Sequence, residues 1–231
     1  MYQLHIANKN YSSWSLRPWL LMQQLRIPFS ERVQPFDGTT GASWQSFRSF
    51  SPTGKVPCLV DAGTTVWDSL AITEYLAERH PQVWPEAAAA RAWARCASAE
   101  MHSGFAVLRA RCGMNCGVRI RLHEITTALQ RDIDRIDELW SESLARFGGP
   151  FLGGESFTAV DAFFAPVAFR VQTYALPLAP TAGAYVTRLL ELPAMRSWYQ
   201  AALAERWRDP AHEEEVQSYG TMLHDLRTGT G

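Results

Sequence analysis

Strand signals concentrate in the first eighty residues of this chain, and beyond one proline-bounded break they nearly vanish and most of the sequence reads as helix. "YQLHIA" alternates apolar and polar residues, as a half-buried strand does. From Ser15 to Leu25 the apolar residues Leu16, Trp19, Leu20 and Leu25 recur at helical spacing, and Pro18 is tolerated in a first turn. "FSERV", Phe29 to Val33, suits a second strand. "ASWQSFRSF", from Ala42, is a short helix that stops ahead of Pro52. "VPCLVDAGTTVW" places two short strands around an Asp61-Ala62-Gly63 turn. "SLAITEYLAERH" then carries Leu70, Ile72, Tyr75 and Leu76 on an amphipathic helix ending at Pro81. The expected order is β-α-β-α-β-β-α.

Residues 81–90, "PQVWPEAAAA", form the one convincing linker, which divides residues 1–80 from residues 91–231. In the second part "RAWARCASAEMHSGFAVLRARC" and "LHEITTALQRDIDRIDELWSESLARF" are long helical patterns. The basic cluster "RIRLHE" is expected to be a solvated helix face. Thr158 with Asp161 three residues on forms the acidic version of a capping box. Pro193 opens a further helix, and the last twenty residues are expected to be a loose polar tail. The outline is a small α/β domain followed by an all-helical one.

Composition narrows the function classes. Hydrophobic residues make up 47% and charged residues 19%, with a formal charge of -1, which gives no reason to expect nucleic acid or an anionic membrane as partner. No uninterrupted apolar stretch approaches the ~20 residues of a membrane span. The start, "MYQLHIANKNY", lacks the basic and apolar regions of a secretory signal. Cys58, Cys96, Cys112 and Cys116 are too few and too irregular for a disulfide scaffold. With no histidine pair to complete a zinc site, they are expected to be free thiols in a reducing cytoplasm, and no metal is expected.

Three stretches put polar groups where a backbone can present them. In "NKNYSSWSLRPWLL", Ser12 and Ser13 precede a helix, with Ser15 as the expected cap. Hydroxyls, unpaired N–H groups and the helix dipole together suit an anion, and a thiolate held there has its pKa lowered. In "GKVP", Pro57 enters a strand after Val56. Read alone, an ordinary trans proline at an edge strand fits better than a cis bond that leaves Val56 facing a cleft. In "WDSLAITEYL", Ser69 is expected to cap and to suit a carboxylate, while Asp68 suits an ammonium. The two match the ends of an amino-acid head group.

In combination these motifs resemble the cytosolic glutathione S-transferases. The serine turn, "VP" before a hairpin, "DSLAI" at the third helix and "FTAVDAFF" in the helical part occur in that order, and the likeness extends to about Trp207. "SSWSLR" is similar to the serine signature SSCSWR of the zeta class. The resemblance implies a thioredoxin-like N-terminal domain that binds glutathione as co-substrate, and an all-α C-terminal domain that supplies most of the electrophile pocket. It implies that Ser12 donates a hydrogen bond to the glutathione sulfur, with Ser13 and Trp14 lining the turn. Val56, ahead of a cis Pro57, would pair with the cysteinyl part, and Asp68 and Ser69 would hold the γ-glutamyl head. Thr158 and Asp161 would serve folding only.

The chain departs from the zeta pattern in the loop "DGTTGASW" and near Ala106, where that class carries glutamine. Both departures count against a maleylacetoacetate isomerase. On "EMHSGFAVLRARCGMN", Met101, His102, Phe105 and Arg109 are the candidate second-substrate residues. The activity implied is attack of glutathione thiolate on a small electrophile, in a detoxifying, cytoplasmic homodimer. A maleylacetoacetate-isomerase-like activity, glutathione-dependent reduction or peroxidase chemistry, and a non-catalytic glutathione-binding module are the alternatives.

Overall fold

The computed structural model describes residues 1–38 and 42–228, so the central part of the loop "DGTTGASW" and the last three residues lie outside the described residues. The N-terminal part follows the expected order: β1 (Tyr2–Ile6), α1 (Ser13–Gln24), β2 (Phe29–Val33), α2 (Ala42–Phe47), β3 (Cys58–Asp61), β4 (Thr64–Val66) and α3 (Ser69–Ala77). The sheet order is β2-β1-β3-β4. β1 and β2 run parallel, and the two β3 pairings are antiparallel. Leu4 and Ile6 point into the core from β1, one residue apart in the alternation, and both are fully buried. This is the thioredoxin-like arrangement.

After a 3-10 turn (Pro81–Val83) come α4 (Ala88–Ser103), α5 (Ala106–Arg111), β5 (Val118–Leu122), α6 (Thr127–Phe147), α7 (Ala159–Tyr174), α8 (Pro180–Glu191), α9 (Pro193–Ala204), α10 (Pro210–Ser218) and β6 (Gly220–Asp225). The domain is helical around α7, which is buried on nearly every side. That is why its sequence is apolar without a clear stripe. Among the described residues no helix is long and apolar enough to cross a membrane.

Three expectations about this half are corrected. The stretch from Arg91 to Cys112 is not one helix, because Gly104 leaves no room for a side chain against the Glu100 carbonyl and Phe105 adopts a left-handed φ of 58°. The turn between α4 and α5 results. "RIRL" is not a helix face but β5, and its antiparallel partner β6 lies in the segment expected to be a loose tail. Ahead of β6 the segment continues α10, which is capped by Asp209, whose carboxylate accepts from the His212 N–H at 3.2 Å.

Asp161 fixes the start of α7. Fully buried, it accepts from the Thr158 N–H at 2.8 Å, the Leu152 N–H at 2.9 Å and the Tyr185 hydroxyl at 2.8 Å. The expected box between Thr158 and Asp161 is therefore part of a larger network that ties three segments together.

Candidate functional site

The chain between β1 and α1 is held from the far end of the sequence. Glu205, just past α9, accepts the backbone N–H groups of Lys9 and Asn10 at 2.6 and 3.1 Å. Trp198 donates from Nε1 to the Lys9 carbonyl at 2.8 Å. The Asn10 side chain bonds Asn115 at 2.8 Å and accepts from the Gly117 N–H at 2.9 Å. The serine turn that follows is thus rigidly placed by the helical domain.

α1 begins at Ser13 with Ser12 at the cap position, but Ser12 makes no capping hydrogen bond. Its hydroxyl donates to Ser15 Oγ at 2.7 Å, and Ser15 Oγ also accepts the Ala7 N–H at 3.2 Å. Ser15 therefore braces the turn from inside the helix and is not its cap. Ser12 and Ser13 are nearly buried, yet both line a cavity of about 380 Å³. Tyr11 lines it too, but its hydroxyl is committed to Glu213 on α10, and burial together with that carboxylate pushes its pKa well up. Burial works against the charge of Glu213. Hydrogen bonds from Arg227 and Tyr11 outweigh it and hold the carboxyl below its usual range.

A second cavity, of about 490 Å³, is lined by Val56, Pro57, Trp67, Asp68 and Ser69. Trp14, Lys55 and Val56 belong to the walls of both cavities. The Val56–Pro57 bond is cis. Asp68, not Ser69, caps α3, with Oδ1 accepting from Leu70 and Ala71 at 3.0 and 3.3 Å. Its other oxygen lies 3.1 Å from His102 Nε2. Ser69 Oγ accepts from Arg17 Nη1 at 3.4 Å.

The second-substrate candidates separate in space. Met101 and Phe105 are buried in the core and do not line the cavity, whereas Arg109 does. His102 sits beside Asp68 with its ring edge-on to Trp14 at 5.2 Å. Burial lowers its pKa, Asp68 acts in the opposite direction, and the nearby Arg17 and Arg109 lower it further. Sequence reasoning missed Tyr11, Lys55, Arg170, His212 and Glu215 in the first cavity. Tyr11, inside "NKNYSSWSLRPWLL", and Lys55, inside "GKVP", stood next to signals that the sequence offers; Arg170, His212 and Glu215 did not.

Gly54, at φ 64°, lets Trp44 cover the loop ahead of Val56, because a Cβ there would sit 2.5 Å from Trp44 Cδ1. Gly54→Ala is expected to cost about 1–2 kcal/mol from the left-handed backbone alone. A urea midpoint unchanged from wild type would contradict this.

Two family models cover most of the chain. One, described as the glutathione S-transferase N-terminal domain, matches residues 11–79, and one described as the C-terminal domain matches residues 86–201. The chain belongs to the glutathione S-transferase family. A dichloromethane dehalogenase of Methylorubrum extorquens is 42% identical over 59 residues, a quarter (25%) of this chain and a fifth (20%) of that protein. The glutathione S-transferase-like protein OpS6 of Beauveria bassiana is 24% identical over 216 residues, 88% of this chain and 90% of that one. A solved glutathione transferase homologue from Burkholderia, with bound glutathione, superposes with a TM-score of 0.63 at 22% identity. That superposition covers 87% of this chain and 97% of the other. The glutathione S-transferase architecture, with its thioredoxin-like and helical parts, is therefore that of this chain.

Proposed function

We propose that the protein binds glutathione across the two adjoining cavities and activates its thiol for attack on a small electrophile. The observation that carries this is the shared wall of Trp14, Lys55 and Val56. It joins a helix start bearing Ser12 and Ser13 to a second helix start bearing Asp68 and Ser69. An elongated tripeptide fits that layout, with its amino-acid head at Asp68 and Ser69, its backbone along Val56, and its sulfur at the serine turn. There the dipole of α1 and a hydroxyl favour the thiolate.

The two serines are not equivalent. To reach a sulfur, Ser12 must turn its proton away from Ser15, whereas Ser13 surrenders no such bond. A hydrogen bond to a charged acceptor is worth more than the neutral one lost. Both can therefore serve, and Ser13 does so at less cost. His102 is placed to steady Asp68, and Arg109 belongs to the electrophile side.

Cys58 gives no support to thiol–disulfide chemistry. It is buried, it donates to the Phe50 carbonyl at 3.4 Å, and burial pushes its thiol up to about 11. The reading further places the protein in a reducing cytoplasm as a homodimer, nearest among the serine-type classes to zeta, with a role in detoxification.

Calorimetric titration with glutathione tests binding, and a screen of aryl halides, dichloromethane, dehydroascorbate and hydroperoxides tests turnover. Dichloromethane is included because of the dehalogenase relative. Saturable binding with activity on a halide is expected. No binding at millimolar glutathione would remove the proposal, and activity confined to dehydroascorbate would replace transferase by reductase.

A further inference from the structure

Three guanidinium groups gather around Trp14 and the first cavity. Arg17 stacks on Trp14 at 4.1 Å and on Phe163 at 4.9 Å, and Arg109 lies 4.8 Å from the Trp14 ring centre. Arg170 comes from the C-terminal part of α7, only 3% exposed, and forms part of the cavity wall with Arg109. Its Nε donates to the Cys112 carbonyl at 2.8 Å, while Nη1 has no acceptor.

Buried arginines are ordinarily paired with a carboxylate. Among the described residues none of these three forms such an ion pair. Of the acids that face them, Asp68 contacts His102 and Asp132 accepts the Leu108 N–H at 2.9 Å. Glu215 lines the same cavity but forms no ion pair with Arg170 or Arg109; burial pushes its carboxyl up, and His212 and Arg170 act in the opposite direction. The positive charges also act on one another. Burial and then Arg170 bring Arg109 down to about 10, which leaves it charged at neutral pH.

We propose that this cavity takes an electrophile bearing a carboxylate, gripped by Arg170 Nη1 and by Nη1 of Arg109, whose Nε and Nη2 already donate to the Gly104 and Met101 carbonyls, within the cavity that the serine turn also lines. It rests on the preceding reading only for the word electrophile; the anion site stands on the arginines. A guanidinium fork matches a carboxylate better than it matches a nitro or halide group. The competing source of the same chemistry is the tripeptide's own glycyl carboxylate.

The probes are 3,5-dinitrobenzoate and its methyl ester, neither of which carries a leaving group, so calorimetry reads the site without turnover. Wild type is expected to bind the acid about ten-fold more tightly than the ester, the difference that one charge-assisted contact supplies. Arg170→Met is expected to abolish that preference while changing the glutathione Kd by no more than about two-fold. Arg109→Gln, at a half-buried wall position, is expected to reduce it and serves as the variant if R170M does not fold.

In turnover, 4-chloro-3,5-dinitrobenzoate is the matched substrate. The thiolate sulfur supplies the electron pair of the new carbon–sulfur bond, chloride leaves with the old pair, and the carboxylate is unchanged. Its KM is expected to rise in R109Q more than that of the methyl ester. Equal binding of acid and ester by wild type overturns the proposal, as does a preference left intact in the folded variants. A glutathione Kd that worsens as much as the acid's assigns the arginine to the tripeptide and likewise overturns it. If wild type fails to bind glutathione but keeps the acid preference, the proposed function falls and the anion site remains.

Discussion

Replacing both Ser12 and Ser13 by alanine is expected to lower turnover about ten-fold or more at pH 7 and only a few-fold near pH 9.5. A free thiol has a pKa of about 8.5, so only a few per cent is thiolate at pH 7. A downward shift of two units, worth about 2.7 kcal/mol, makes the thiolate the majority form. Part of that gain is returned, since a thiolate of lower pKa is a weaker nucleophile. At pH 9.5 the unassisted thiol is ionised already, and only the loss of positioning remains. Among the single variants S13A is expected to lose more than S12A, because the Ser12 hydroxyl is engaged by Ser15. The check is the pH profile of kcat/KM from pH 6 to 10. A loss of equal size at both ends of the profile would mean that these hydroxyls do not stabilise the anion.

Asp161→Ala is expected to cost about 4 kcal/mol of stability at pH 7 while leaving the serine turn chemically intact. The substitution strips acceptors from three buried donors: the N–H groups of Leu152 and Thr158 and the hydroxyl of Tyr185. The pH dependence has a definite sign. Burial raises the Asp161 carboxyl to about 6 from 3.8, and the hydrogen bonds it accepts offset only part of that rise. The native state therefore binds this proton more tightly than the unfolded chain does. Its contribution is fully present below the unfolded value and is lost as pH climbs through the folded one. The gap between wild type and D161A should accordingly widen by roughly 2–3 kcal/mol as pH falls from 7 to 4. Paired urea titrations across that range measure it. A gap that narrows on acidification would mean the fold favours the ionised carboxyl.

The N-terminal half was legible because its signals are local. "YQLHIA" alternates, Asp61-Ala62-Gly63 turns a hairpin, and Pro52 and Pro81 stop the preceding helices, each within a few residues. β5 does carry a local signal, since "VRIRL" alternates apolar and basic residues, but its arginines also suit a solvated helix face, and the ladder that decides between the two lies about a hundred residues away in β6. The break at Gly104 and Phe105 was hidden for a different reason. Apolar residues on either side, Met101 and Leu108, keep helical spacing across it.

For the site, the sequence alone determined which residue types stand at the start of α1, before β3 and at the start of α3. Backbone geometry there follows from short-range sterics and capping. It could not decide between neighbouring candidates: that Ser12 turns its hydroxyl to Ser15 three residues on, or that Asp68 rather than Ser69 caps α3, because adjacent polar side chains satisfy the same local pattern. Nor could it place Arg170 of α7 in the wall of the cavity that the serine turn lines. That outcome depends on packing between segments far apart in the chain, and no local pattern encodes the distance between them.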